Sequence, residues 1–204
     1  MKSIDWKTEN SGHFERHAAE RLLSVYPWLL QDFINSVKQP LTDLTILEIG
    51  CGPGFMLQQF SKCSPRKLLG VDKSFAMLQA AMRKIDQAGV GLIQGDACSL
   101  PVADACVDAV FSRGSIFFWE DLHLALRHIK RCLKPGGIAL IGGGYGLSTP
   151  QGVIDDLRQN DNRSSEKQIP RLNLDELSDM ARDIGGNVEI LHEKKRGFWL
   201  YWKL

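Results

Sequence analysis

Ile46-Leu47-Glu48-Ile49-Gly50-Cys51-Gly52-Pro53-Gly54 is the stretch whose reading decides the fold. The apolar run at 46–49 reads as a buried strand with an acid near its end, and three alternating glycines follow at once. A strand that breaks into glycines turns sharply and lets a flat ligand lie against the backbone without Cβ clashes. A nucleoside is held this way at the carboxyl edge of a parallel sheet.

A dinucleotide fingerprint would read G-x-G-x-x-G, with its third glycine where a helix N-terminus meets the pyrophosphate. Here position 55 is Phe55, the third glycine comes one residue early at Gly54, and Pro53 offers no N–H to a phosphate. Glu48 points the same way, because a carboxylate beside the loop repels a pyrophosphate and attracts a cation. S-adenosylmethionine (SAM) carries a sulfonium and an ammonium and no phosphate. A glycine-rich turn in a nicotinamide-binding or ligand-free α/β domain is the competing reading of this loop.

Outward from the loop, strands and helices alternate. Residues 67–71 read as a second strand ending at Asp72, and Ser74 caps a helix with the stripe Phe75, Leu78, Met82 and Ile85. Residues 90–94 form a third strand, followed by Gly95-Asp96-Ala97, and residues 107–112 a fourth. The helix at 120–133 carries the stripe Leu122, Leu126, Ile129 and Leu133, with acids at its start and Arg127, Lys130, Arg131 and Lys134 near its end, as the helix dipole prefers. Pro135-Gly136-Gly137 terminates it before a fifth strand at 138–141. This alternation predicts an α/β fold with a mostly parallel sheet and helices on both faces. Before it, residues 13–38 read as a helical lead-in that Pro27 kinks or divides. After it, the spacing predicts a short helix at 153–159, a helix at 174–184 and two antiparallel strands at 188–192 and 197–204.

The 204 residues fit one domain, divided into a lead-in or lid (1–38), a cofactor-binding core (40–145) and a C-terminal helix and hairpin (146–204). The formal net charge of +1 leaves no excess that calls for nucleic acid, and the basic residues fall mostly at a helix end and a hairpin turn rather than in a stripe. No apolar run approaches the roughly 20 residues that span a bilayer, and Met1-Lys2-Ser3-Ile4-Asp5-Trp6 has no apolar signal region. Five cysteines without a C-x-x-C pair read as reduced thiols in a cytoplasmic protein, with no zinc site. His13, His17 and Glu20 have a spacing that can hold a metal but is equally ordinary on a polar helix face, so the reading is of no metal.

Further pieces accompany the loop in register. Asp72 follows Gly52 by 20 residues and can accept from both ribose hydroxyls. Asp96, after the third strand, can accept from an adenine amino group. Ser112-Arg113-Gly114-Ser115 ends the fourth strand at the same edge, and Leu133-Lys134-Pro135-Gly136-Gly137 precedes the fifth. Each alone is also an ordinary turn former. Together they make the chain resemble the class I SAM-dependent methyltransferases, most closely the methyltransferase type 11 group, over about residues 40–145. The resemblance implies a Rossmann-like, seven-stranded sheet whose antiparallel last strand inserts into it. It implies that Glu48, Gly50, Cys51, Gly52 and Gly54 surround the methionine and ribose portions, with the backbone of Cys51 mattering more than its thiol. It places Asp72 on the ribose with Lys73 and Ser74 beside it, Asp96 and Ala97 at the adenine, and Ser112 and Arg113 near the methionine end. The stretch 112–121 with Gly142-Gly143-Gly144-Tyr145-Gly146 also resembles a subgroup of methyltransferases from anaerobic prokaryotes.

Methyl transfer from a sulfonium needs alignment and exclusion of water more than a catalytic triad. Tyr26, Trp119 and Tyr145 are the candidates for positioning an acceptor. A Tyr on an amphipathic helix is also commonly a core residue, and Phe117, Phe118 and Trp119 could simply staple the next helix to the sheet. Glu120 and Asp121 read as helix N-terminal acids. The sequence therefore favours methyl transfer to a small molecule, with S-adenosylhomocysteine (SAH) as product. An RNA or protein methyltransferase, a SAM-binding module without turnover and an NAD-dependent oxidoreductase are the alternatives. No Tyr-x-x-x-Lys pair supports the oxidoreductase: Leu30 follows Tyr26 by four residues and Thr149 follows Tyr145.

Overall fold

Strand β1, Thr45–Ile49, is buried along its whole length, and the sheet is assembled around it. The computed structural model describes residues 22–85, 89–159 and 172–204; Phe14 and Ala18 of the lead-in, with His13, His17 and Glu20, lie outside them. Strands β2 (Lys67–Asp72), β3 (Val90–Gln94), β4 (Val107–Arg113), β5 (Leu133–Gly144), β6 (Asn187–Glu193) and β7 (Gly197–Lys203) complete a sheet of order β3-β2-β1-β4-β5-β7-β6. Strands β1 to β5 are parallel, and β7 enters between β5 and β6 antiparallel to both. The order reverses at β1, where chain connections leave to opposite sides, so the crevice beyond β1 and β4 is where an open α/β sheet admits a ligand.

Helices α1 (Tyr26–Val37), α2 (Phe55–Ser61) and α3 (Phe75–Lys84) pack on one face, with Leu29, Phe33, Phe60, Leu78, Phe111 and Trp199 in one cluster. On the other face, α4 (Leu122–Cys132) and α6 (Leu174–Ile184) bury Leu126, Ile129, Leu177 and Ala181 against Val110, Ile141 and Trp202. Helix α5 (Gln151–Gln159) follows β5. Side-chain caps set the starts: Ser74 accepts from Met77 N–H, Asp121 from Leu124 N–H, and Asn173 from Asp175 and Glu176 N–H.

Two local expectations are refined. The Leu133-Lys134-Pro135-Gly136-Gly137 segment belongs to β5 rather than to a separate turn: Leu133 pairs with Val107, and the register then shifts before Ala109 meets Ile138. Pro135 forces the preceding residue towards extended backbone, so the helix ends at Cys132 and the chain enters the sheet directly. Pro27 lies in the first turn of α1, where its missing N–H costs nothing.

Helix α1 is also more than a cover. Phe33 has no exposed surface, and its ring stands 4.8 Å from Phe60 and 5.9 Å from Phe111, both edge-on. Removing α1 would bare Phe60 and Phe111 on the sheet face.

Candidate functional site

The loop after β1 owes its shape to positive φ at three glycines, 68° at Gly50, 52° at Gly52 and 81° at Gly54. Gly50 N–H and Cys51 N–H both donate to the Val71 carbonyl of β2, at 2.7 and 3.0 Å, which folds the loop over the strand end. A Cβ on Gly50 would overlap Ser115, whereas a Cβ on Gly52 would meet nothing within 4 Å. Gly50 is thus required by protein packing, and Gly52 faces open space beside the carboxyl edge.

Asp72 closes the loop from the β2 side. Its Oδ2 accepts from Gly52 N–H at 2.7 Å and its Oδ1 from Ser74 N–H at 2.8 Å. Burial raises its pKa, and the two backbone donors pull against that rise. Each oxygen keeps lone-pair capacity after these bonds, so the carboxylate can still accept from a diol.

Glu48 sits behind the loop, 4% exposed, with its Oε2 unpartnered. Burial and the neighbouring Asp72 push its pKa well above the usual carboxylate range, and the Leu57 N–H in the first turn of α2 and the Arg113 guanidinium offset only part of this. The Cys51 thiol is likewise pushed up by burial and by Glu48 and Asp72, so it stays protonated and is no nucleophile. A buried acid with an idle oxygen, flanked by a second acid, is an arrangement that a cation would complete.

At the far corner, Lys73 bridges Asp96 Oδ2 at 2.7 Å and Glu120 Oε1 at 2.9 Å, which raises the ammonium's pKa. Asp96 Oδ1 caps the short turn Ala97–Ser99 by accepting from Cys98 N–H at 2.8 Å. Partial burial pushes the Asp96 carboxyl up, but Lys73 and the Cys98 N–H outweigh it and hold the pKa below the usual range. Ala97 is buried beside this corner. Glu120 therefore reaches away from α4 to Lys73, a role beyond the expected helix-terminal one, and Asp121 provides the cap.

The three candidates for acceptor positioning do not converge. Tyr26, at the start of α1, lies over the β4 end: its ring is 5.7 Å from the Arg113 guanidinium carbon and 5.8 Å from Phe55. Burial raises the phenol's pKa, with Arg113 opposing by charge and hydrogen bond. Arg113 Nε donates to the Gly144 carbonyl at 3.1 Å, next to Tyr145, which packs half-buried in the same cluster as Tyr26. Trp119 packs instead with the cluster on the other sheet face, and its indole N–H donates to Ser115 Oγ at 3.2 Å. Phe117 stacks edge-on against Phe198, and Phe118 is exposed.

Some contacts at this edge gave no sign in the sequence. Ser115 Oγ contacts Ser112 Oγ at 2.6 Å and donates to the Ile49 carbonyl at 3.2 Å. Asp32 of α1 accepts from Ser148 N–H at 2.9 Å, and Arg196 donates to the carbonyls of Gly146, Leu147 and Thr149, so the loop after β5 is fixed from two sides. Apart from the Ser112–Ser115 pair, the partners are 47 to 116 residues apart in the chain, and only tertiary contact reveals them. Among the described residues, no group of three His, Cys, Asp or Glu side chains could hold a metal.

Residues 47–141 match the family described as "Methyltransferase domain" (Methyltransf_11). The uncharacterized methyltransferase YdaC of Bacillus subtilis is 41% identical over 98 residues, 48% of this chain and 54% of that protein. The malonyl-[acyl-carrier protein] O-methyltransferase of Xylella fastidiosa is 36% identical over 97 residues, 47% of this chain and 33% of that protein. The matches thus span about half or less of the curated relatives' own length. A crystal structure of a Methanococcus maripaludis protein assigned to the SAM-dependent methyltransferases superposes with a TM-score of 0.81 at 28% identity, over 99% of this chain and 96% of that one.

Proposed function

Residues 47–141 form a class I SAM-dependent methyltransferase domain of the type 11 group, and from that premise we propose that the protein transfers a methyl group from SAM to a small-molecule acceptor. The observation that carries the cofactor half of this reading is the unpartnered Glu48 Oε2 behind the glycine loop. A cationic ligand would favour the ionised acid and supply the partner it lacks, whereas a phosphate could do neither. Gly52 leaves room for a flat ligand, and the Asp72 carboxylate stands opposite with acceptor capacity for a ribose.

In this reading Glu48 faces the cationic methionine end, Asp72 takes the ribose hydroxyls, and Gly50, Cys51, Gly52 and Gly54 give the loop its backbone shape. Ser74 orients Asp72 by donating its N–H, and Lys73 holds Asp96 beside the adenine with Ala97 beneath. Ser112 and Arg113 line the methionine side. SAM would supply an activated methyl and a neutral thioether leaving group. The chain's own work is alignment and exclusion of water: Tyr26, protonated at neutral pH by its raised pKa, donates to or orients an acceptor atom beside Arg113, and Tyr145 flanks it. Trp119 supports this wall through Ser115 rather than by touching the acceptor.

A small acceptor is favoured by the lack of a basic stripe in the sequence and by the malonyl-[acyl-carrier protein] O-methyltransferase among the relatives, whose name places a malonyl group at its acceptor site. Among the described residues no helix is long and apolar enough to cross a membrane, and a cytoplasmic location fits the reduced thiols. Calorimetry with SAH tests the cofactor: micromolar binding that NAD does not reproduce is expected, and NAD binding with none of SAH would overturn the reading. An acceptor screen tests the rest. Turnover on bulk tRNA or protein, with none on any small carboxylate, thiol, phenol or amine, would sink the acceptor class.

A further inference from the structure

Ser115 joins three parts of this edge through one hydroxyl. A hydroxyl has one proton to donate and two lone pairs to accept with. Ser115 Oγ spends its proton on the Ile49 carbonyl at 3.2 Å and accepts the Trp119 indole N–H at 3.2 Å. Its remaining contact, 2.6 Å to Ser112 Oγ, has Ser112 as the donor when the Ser115 proton lies on Ile49. In that arrangement all three capacities of the hydroxyl are filled. Ser115 then has no proton left for an acceptor molecule.

The partners span the cofactor edge. Ile49 is the last residue of β1, and Gly50 beside it packs so closely on Ser115 that a Cβ there would overlap the serine. Trp119 ends the short turn Ile116–Phe118, and the next residue, Glu120, is tied through Lys73 to Asp96. The segment 115–120 is thus anchored at one end to the glycine loop and at the other to the adenine corner.

We propose that Ser115 is a positioning residue that joins the glycine loop to Trp119 through one hydroxyl, so that a nucleoside cofactor seated on the loop is registered at the indole. The proposal rests on the SAM reading given above. Its local consequence is that the loop and the aromatic segment move as one unit, and Ser115→Ala uncouples them.

The test is SAH titration of the full chain, followed in parallel by calorimetry and by tryptophan emission. The chain has five tryptophans, so the share of Trp119 is obtained by subtracting Trp119→Phe from wild type, and the Ser115→Ala/Trp119→Phe double variant from Ser115→Ala. In wild type the Trp119 share should change with SAH. In Ser115→Ala that change should vanish and SAH should bind about tenfold more weakly, the loss expected of one structural hydrogen bond and the unpaired carbonyl it leaves. A second readout needs no change at Ser115: the Trp119 indole N–H resonance, assigned by its absence in Trp119→Phe, should shift on SAH binding to wild type. Wild type that fails to bind SAH would bring down the cofactor reading and this proposal with it. Wild type that binds SAH while Trp119 stays silent in both readouts would overturn the proposal alone. So would a Ser115→Ala protein that keeps wild-type affinity and the Trp119 response. A role in folding alone would lower the melting temperature without touching the Trp119 response.

Discussion

Replacing Asp72 with Ala should separate ligand binding from folding. The carboxylate accepts from Gly52 N–H at 2.7 Å and from Ser74 N–H at 2.8 Å, so its loss loosens the glycine loop and the helix cap together. Hydrogen bonds to a charged group contribute about 1.5–3 kcal/mol each. A ribose seated on the loop would bring two hydroxyl donors to the same carboxylate. The loop keeps its bonds from Gly50 and Cys51 to the Val71 carbonyl, so it is softened rather than lost. We expect SAH affinity to fall by about 3 kcal/mol, or roughly 100-fold, in calorimetry at neutral pH. Stability should change little, because the raised pKa of Asp72 means that burial holds its charge at a cost that Ala removes. For a chain of this length 1 kcal/mol moves the melting temperature by about 2–4 °C, and we expect a change of that size or less. SAH affinity within threefold of wild type would refute the ribose assignment. A melting temperature lowered by more than about 10 °C would instead make Asp72 a structural residue first.

Glu48→Gln should weaken SAM binding more than SAH binding, because only SAM adds a sulfonium to the ammonium; equal losses in calorimetry would count against Glu48 facing the methionine end. In unliganded protein the raised Glu48 pKa means that the folded state holds a proton the unfolded state has lost. Stability should therefore fall as pH rises from the ordinary carboxylate range through the folded value, and Glu48→Gln should flatten that slope in melts across pH. Asp108 has the opposite sign: Lys134 at 2.8 Å, the Thr45 N–H at 2.8 Å and Arg66 at 2.7 Å outweigh its partial burial and lower its pKa. Its contribution should be intact above the unfolded carboxylate value and disappear as pH falls through the folded one, a step absent from Asp108→Asn. The two loop glycines should diverge: Gly50→Ala, which drives a methyl into Ser115 at φ 68°, should destabilise by at least about 2 kcal/mol, while Gly52→Ala should cost about 1 kcal/mol of stability yet abolish detectable SAH binding. Phe33→Ala should cost about 3–5 kcal/mol in denaturant unfolding, and a loss under 1 kcal/mol would mean that α1 is a detachable cover after all.

The order of elements was legible in the sequence because each rests on local chemistry. Apolar runs of strand length alternate with amphipathic helices, Ser74 caps a helix, and glycines at 50, 52 and 54 occupy positions that need positive φ. The strand-end residues Glu48, Asp72, Asp96 and Arg113 could be named because a parallel sheet delivers every strand's carboxyl end to one edge. Their number along the chain was enough to place them on that edge.

What those residues do to one another was decided only in three dimensions. Nothing local says that Lys73 spans Asp96 and Glu120, that Arg113 lies beside the Tyr26 ring, or that Ser115 binds Ile49 across 66 residues of chain. Trp119 and Tyr145 share an aromatic character and a place after a strand, yet the sheet sends them to opposite faces, so a sequence pattern grouped what packing separates. Burial is the other property that no residue carries alone. Glu48 is an ordinary acid in the sequence, and becomes a candidate partner for a cation only because the glycine loop, α2 and β2 close around it and leave one oxygen without a donor. Sequence fixes which groups can reach the edge through backbone geometry, while charge state and pairing follow from the desolvation and contacts that the folded chain imposes.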